Sequence, residues 1–357
     1  MATTEISVPQ ATPRAKTGSI KAQRFIGKTI ALLLLSAGAV LFMMPLVWML
    51  TTALKTVDAA TSFPPQWIPK DVIKQEVNGK SYFMYTIEYE GQQVEWAMFK
   101  KRPGEKAIFM NPANPDQQIE LPLAQATKVE RFNLHWENFP LAMTKVPFLK
   151  YLQNTMVIVF FSTIGVLVSC VLVAYGFSRF RAPWLDIMFL LLLSTIMLPQ
   201  QVTLIPTFVL FQKIGWYDTP LPLIVPAFFA NAWNVFLLRQ FFLSIPIEMD
   251  EAAKIDGANP LQVLWHVLLP QSWPALATVA IFHFLWAWND FFGPLIYLQS
   301  NEKFTVAIGL QAFNAMYSRQ TTLMMAAATV TMLPCLLLFF VAQKLFIQGV
   351  VVSGVKG

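Results

Sequence analysis

Polar and apolar residues along this chain are segregated into long blocks. Six apolar runs approach the roughly 20 residues that a helix needs to cross a bilayer: 29–50, 155–177, 185–198, 221–238, 276–297 and 323–346. Pro226 falls inside the fourth and predicts a kink there, because proline lacks the helical N–H and crowds the preceding turn. Residues 1–28 form a polar tail, read as disordered over 1–24. The first run is long and lacks a small-residue cleavage site, so it is read as a retained span, not a cleaved signal.

The block between the first two runs, 62–150, is too polar to span. Alternation over 82–89 and 94–99 predicts two strands joined by a turn at 90–93. Arg102-Pro103-Gly104-Glu105 marks a second turn, followed by a short run over 107–110. Over 70–131 nine basic residues face nine acidic ones. The expectation is a small domain outside the membrane, on the extracytoplasmic side, with a β-rich core at about 80–131. It is either a passive insertion or a contact for a partner.

Composition supports the membrane reading. The chain is 55% hydrophobic and 13% charged, whereas soluble domains carry about 25% charged residues. The formal charge of +6 does not indicate nucleic-acid binding once its distribution is seen. Arg14, Lys16, Lys21, Arg24 and Lys28 precede the first run against one acid, Glu5. Basic residues flanking spans mark the cytoplasmic side. Arg179 and Arg181, then Arg239, Lys254 and His266, then Lys344 and Lys356 fall on that same side if both termini are cytoplasmic. Loops 199–220 and 298–322 then face outward. The predicted class is an all-α polytopic membrane protein of six transmembrane helices with a β-rich insert between the first two. Its five-helix core covers 151–346 and its C-terminal cytoplasmic tail 347–357. Cys170 and Cys335 lie inside apolar runs and suggest neither a disulfide nor a metal site.

The cytoplasmic loop 244–275 carries the most specific pattern. Pro246 suits a first helical turn with Ser244 as its cap, and Glu248, Asp250 and Glu251 favour that end of the helix dipole. Gly257 supplies the left-handed conformation that ends a helix. Asn259-Pro260 restarts one, with Asn as cap and Pro at the first position, and Pro270 is expected to stop it after Leu269. The product is two short helices with a sharp bend, presenting a small knob with Glu251 as its acid.

Glu251-Ala252-Ala253, Gly257 and Leu269-Pro270, at this spacing, resemble the EAA loop of ATP-binding-cassette (ABC) importer permeases, of the maltose-type class that takes up carbohydrates. Trp136-Glu-Asn-Phe139, Asn154-Thr155, Ala174-Tyr-Gly-Phe-Ser-Arg179 and the tail from Gln348-Gly349 through Lys356-Gly357 agree with that class. The tail is similar to that of the smaller maltose-system permease. The resemblance covers about 25–66 and 134–357; the insert at 67–133 is not typical of it. It implies a subunit that binds no cofactor, while a partner ATPase dimer binds ATP and Mg. It also implies a second, different permease, an extracytoplasmic solute-binding protein and residence in a bacterial or archaeal cytoplasmic membrane. Glu251, Ala252, Ala253, Asp256, Gly257, Ala258, Leu269 and Pro270 would seat in the ATPase. Gln348, Gly349, Lys356 and Gly357 would reach towards the ATPase interface.

The fifth run holds His283, Trp286, Asn289 and Asp290. His283, Trp286 and Asp290 are spaced to share one helical face. Trp286, Asn289 and Asp290 are therefore candidates to line a solute path, since charges at membrane depth face a bundle interior or a water-filled cavity. A helix–helix hydrogen-bond cluster is the alternative. There is no phosphate loop, no zinc-protease motif and no nucleophile elbow, so no enzyme is indicated. A permease for another solute, such as glycerol phosphate, and a secondary transporter remain alternatives. A receptor or scaffold acting through its β domain is a third.

Overall fold

The computed structural model describes residues 17–315 and 320–354. The first span, α1 (Thr17–Ala53), runs as one helix through Pro45. After the short α2 (Val57–Ala60) the chain leaves the helical body and forms eight strands: β1 (Lys70–Val72), β2 (Lys74–Val77), β3 (Lys80–Tyr89), β4 (Gln92–Arg102), β5 (Lys106–Met110), β6 (Gln118–Pro122), β7 (Thr127–Lys128) and β8 (Glu130–Phe132). Strands β2 to β6 follow one another in sheet order, all antiparallel, with β7 beside β3. β1 and β8 pair separately, Lys70 opposite Phe132, and form the neck of the insert. The β3–β4 turn is tighter than expected. Glu90 (φ +51°) and Gly91 (φ +76°) complete it alone, and Gln92 and Gln93 already pair with Tyr89 and Glu88. Both φ values are positive, which suits the right-handed twist of a two-residue hairpin. Asn78-Gly79 makes the same turn between β2 and β3. That dipeptide is a strong hairpin signal in its own right.

The chain re-enters the helical body at α3 (Asn138–Lys145) and then α4 (Phe148–Arg179), a 32-residue helix. The third run is one arm of a bent helix pair. α5 (Leu185–Ser194) and a 3-10 turn end at Leu198-Pro199, and α6 (Gln200–Lys213) leaves at 98°. Residues 199–220 are thus largely a helix, not the predicted loop. The fourth run is interrupted near Pro226, as expected: α7 (Leu221–Ile224) and a 3-10 turn give way to α8 (Ala232–Ser244), which Asn231 caps. The loop helices follow: α9 (Ile247–Ile255), α10 (Pro260–Val263) and α11 (Leu269–Gln271). Then come α12 (Trp273–Trp288), α13 (Phe292–Tyr297), α14 (Val306–Ala315) and α15 (Thr321–Gly354). Among the described residues, four helices are long and apolar enough to cross a membrane alone, and up to six segments are if each of two bent pairs counts as one.

α4 is the axis of the bundle. One of its faces, from Phe148 through Thr155, Ser162, Gly165 and Ser169 to Tyr175, is buried. Small residues let neighbours approach. Phe228 packs so closely on Gly165 that an added methyl would stand 2.6 Å from its ring. Two cores form at the two ends. Tyr175, Leu238, Phe242, Val263 and Leu268 cluster at one. Phe148, Tyr151, Val306, Phe313 and Leu323 cluster at the other.

Candidate functional site

At the α9–α10 bend, α9 ends in the two bonds that define a glycine-terminated helix. Ala258 N–H donates to Ala253 O (2.9 Å) and Gly257 N–H to Lys254 O (3.0 Å), with Gly257 at φ +88°. Ala253 and Ala258, the apolar pair of such a terminus, both pack on the adjoining core. Asn259 then opens α10 with a reciprocal cap: its Oδ1 accepts from Gln262 N–H (2.9 Å), and Gln262 Oε1 accepts from Asn259 N–H (2.8 Å). Glu251, Ala252, Ile255, Asp256 and Gly257 are exposed. Ile255 is 87% exposed, a large apolar side chain left open at the tip of the knob.

Three details differ from expectation. Ser244 closes α8, its hydroxyl bonded to Phe241 O (2.6 Å), and Pro246 occupies the α9 cap position without a side-chain bond. Pro270 does not stop the second helix. A π-turn over Leu264–Leu268 precedes it, and the wider turn accommodates a residue without an N–H. The break comes at Ser272, whose hydroxyl returns to Leu268 O (2.7 Å), and α12 departs at 80°. Asp250 is no exposed dipole acid either. It is buried, with Oδ2 2.7 Å from Arg179 Nε at the end of α4.

Arg179 also donates from Nη2 to Ile245 O (3.0 Å), and Tyr175 OH to Pro260 O (2.9 Å). Nearby, Arg239 donates to Phe177 O (3.1 Å) and stacks on Phe189. The stretch Ala174–Arg179 thus holds both helices of the knob. Its resemblance to a family motif was visible in the sequence, but its partner, some 70 residues away, was not.

The fifth run resolves differently from its expected single helix. α12 ends at Trp288, Asn289 is its C-terminal cap, and Asp290 lies in the break before α13. Asp290 therefore shares no continuous helical face with His283 and Trp286. Its Oδ1 accepts from Gly293 N–H (3.1 Å), in the first turn of α13. Asn289 Nδ2 returns to Leu285 O (2.7 Å). Trp286 and Asn289 are exposed, while His283 is buried with Nε2 3.0 Å from Ser162 Oγ on α4. Of the tail residues, Gln348 and Gly349 lie within α15, and Lys356 and Gly357 lie outside the described residues.

The family model described as binding-protein-dependent transport system inner membrane component matches residues 162–352. The chain belongs to that family. Relatives agree with this permease assignment. It is 35% identical over 186 residues to the arabinooligosaccharides transport system permease protein AraQ of Halalkalibacterium halodurans, covering 52% of this chain and 66% of that one. It is 34% identical over 209 residues to the sn-glycerol-3-phosphate transport system permease protein UgpE of Pectobacterium atrosepticum, covering 58% and 74%. In fold the permease is similar to a chain in the crystal structure of a bacterial ABC transporter involved in the import of alginate. The TM-score is 0.62 at 21% identity, over 93% of this chain and 99% of that one.

Proposed function

We propose that this permease forms half of the translocation pathway of an ATP-driven carbohydrate importer, opening by alternating access at its interface with a second, different permease. An ATPase dimer, which binds the ATP and Mg, docks through one of its subunits on the 244–275 loop, and an extracytoplasmic solute-binding protein delivers the solute. Both termini are cytoplasmic, and the insert projects on the opposite side. The observation that carries this reading is the exposed, doubly capped α9–α10 knob. Its tip presents Glu251 and Ile255, while its base is tied to α4 through Tyr175 and Arg179. A carboxylate beside an apolar tip suits a partner groove that offers charged donors at its rim.

Trp286, Asn289 and Asp290 remain candidates for the path as exposed or half-buried polar and aromatic groups at the α12–α13 break. Such a break, with a half-helix terminus at membrane depth, is where polar backbone is tolerated beside a cavity. The carbohydrate assignment rests on relatives such as the arabinooligosaccharide permease, and the glycerol-phosphate relative supports the second reading. Uptake by the reconstituted complex of a panel of oligosaccharides and of glycerol phosphate separates the two.

A further inference from the structure

The structure assigns a second role to α4. Resting on the docking reading of the α9–α10 knob, we infer that α4 is the strut that carries movement of the knob to the far-end loop 298–306, with Tyr175 and Arg179 as positioning residues at one end and Asn154 and Thr155 at the other.

The attachments at the knob end are the buried Arg179–Asp250 ion pair, the Arg179–Ile245 bond and the Tyr175–Pro260 bond. The guanidinium thus faces the buried Asp250 carboxylate as a charge partner while its directed hydrogen bond goes to the Ile245 carbonyl. At the other end Asn154 Nδ2 donates to Glu302 O (2.8 Å) and Phe304 O (3.0 Å), Thr155 Oγ1 accepts from Val306 N–H (3.0 Å), and Tyr151 OH bonds Asn301. An added methyl on Gly309 would run into the Tyr151 ring, so α14 is seated against α4 too. Asp218 extends the grip, accepting from Gln299 N–H, Ser300 N–H and Lys303 Nζ.

Between its ends α4 is fastened to its neighbours. Ser162 meets His283, and Ser169 Oγ bonds both Ala227 O (3.1 Å) and Ala230 N–H (3.1 Å). Asn154 and Arg179 are about 37 Å apart along a straight helix at 1.5 Å per residue. α4 contains no proline, unlike α1, α6 and α15. A straight helix pinned at both ends passes displacement along its axis, because a packed interior yields little.

The test uses the full complex in proteoliposomes, with Glu302→Cys as a reporter on the far loop and a membrane-impermeant maleimide as the probe. The parent chain, whose two cysteines lie within helices, is the blank. In the reporter background, trapping with ATP and vanadate is expected to change the Cys labelling rate several-fold. Asn154→Ala, remote from the docking knob, should abolish most of that change while the complex still assembles and hydrolyses ATP; Arg179→Gln should abolish it as well, and the double variant should be no worse than either. A full labelling response in both single variants overturns the inference. If Arg179→Gln loses the ATPase, Tyr175→Phe, which removes one hydroxyl, decides by the same criterion. A parent complex that holds no ATPase refutes the docking reading instead.

Discussion

The N–H of Ala258 donates to the carbonyl of Ala253 at 2.9 Å, across Gly257 at φ +88°. This bond accounts for the spacing of the loop motif. An alanine stands at the third helical position from the end, the glycine four residues later supplies the left-handed turn, and a small residue follows that packs, like the alanine, on the adjoining core. The glutamate two positions before that alanine then falls on the exposed side of α9.

Gly257→Pro is expected to abolish coupled transport. Proline fixes φ near −65° and removes the N–H that bonds Lys254 O, so the bend is lost. Gly257→Ala keeps the bond at a cost of about 1 kcal/mol for the left-handed conformation and should retain partial activity. Binding-protein-stimulated ATP turnover and solute uptake in parallel check this; normal values for the proline variant contradict it.

Two glycines of α4 make a matched pair. Gly165→Ala places a methyl 2.6 Å from the Phe228 ring, whereas nothing lies within 4 Å of one at Gly176. The first change should destabilise by about 1–3 kcal/mol through overpacking, and the second should be neutral or slightly stabilising. Thermal midpoints of the detergent-solubilised variants test the contrast, and equal midpoints would refute the packing at Gly165.

The neck of the insert should be pH-sensitive. His135 lies between Asp71 (2.6 Å) and Glu137 (2.5 Å). Burial alone would lower its pKa, but hydrogen bonds and charge from Glu137 and Asp71 outweigh that and hold it above its usual 6.5. The bond from His135 holds Glu137 below its usual value. The histidine's contribution is therefore complete below pH 6.5 and is lost as pH rises through the raised value. That of Glu137 is present above its usual value and is lost as pH falls through the depressed one. Protection of the amides of Asp71 and Arg131, on the paired strands β1 and β8, relative to their base-catalysed intrinsic exchange at the same pH, should be lower at about pH 8.5 than at about pH 6. His135→Gln should remove most of the difference; an unchanged pH profile in that variant contradicts the assignment.

The insert should be separable. Asn133 N–H bonds Pro69 O at 3.3 Å, so the chain enters and leaves the β domain at one point. Replacing 70–132 by a short Gly/Ser linker is expected to leave the helical body folded and able to assemble. Co-purification with partners and the thermal midpoint of the remainder measure this, and loss of the helical body would show that the insert is structural.

Several features could be read directly from the sequence because they are local. Gly257, Asn259-Pro260 and the kink near Pro226 depend on backbone preferences of a few residues. The strands at 82–89 and 94–99 depend on alternation. Other features depend on partners far along the chain. Asp250 in a first helical turn reads as a dipole acid until Arg179 is found beside it. Asn289 and Asp290 are flanked on both sides by apolar residues, so the pair reads as a polar spot on one continuous helix, and Asp290 reads as a face residue when it lies in the break between α12 and α13. Pro270 reads as a stop because the π-turn that admits it has no sequence signature. The segment of α6 reads as a loop because Gln200, Gln201 and Pro206 dilute its apolar content.

The most direct measurement is the composition of the complex. Mild solubilisation of tagged protein from its native membrane, followed by mass spectrometry, should recover an ATPase subunit and a second permease, and both Glu251→Ala and Gly257→Pro should release the ATPase while keeping the permease partner. Recovery of the chain alone, under conditions that keep other membrane complexes whole, would contradict the account.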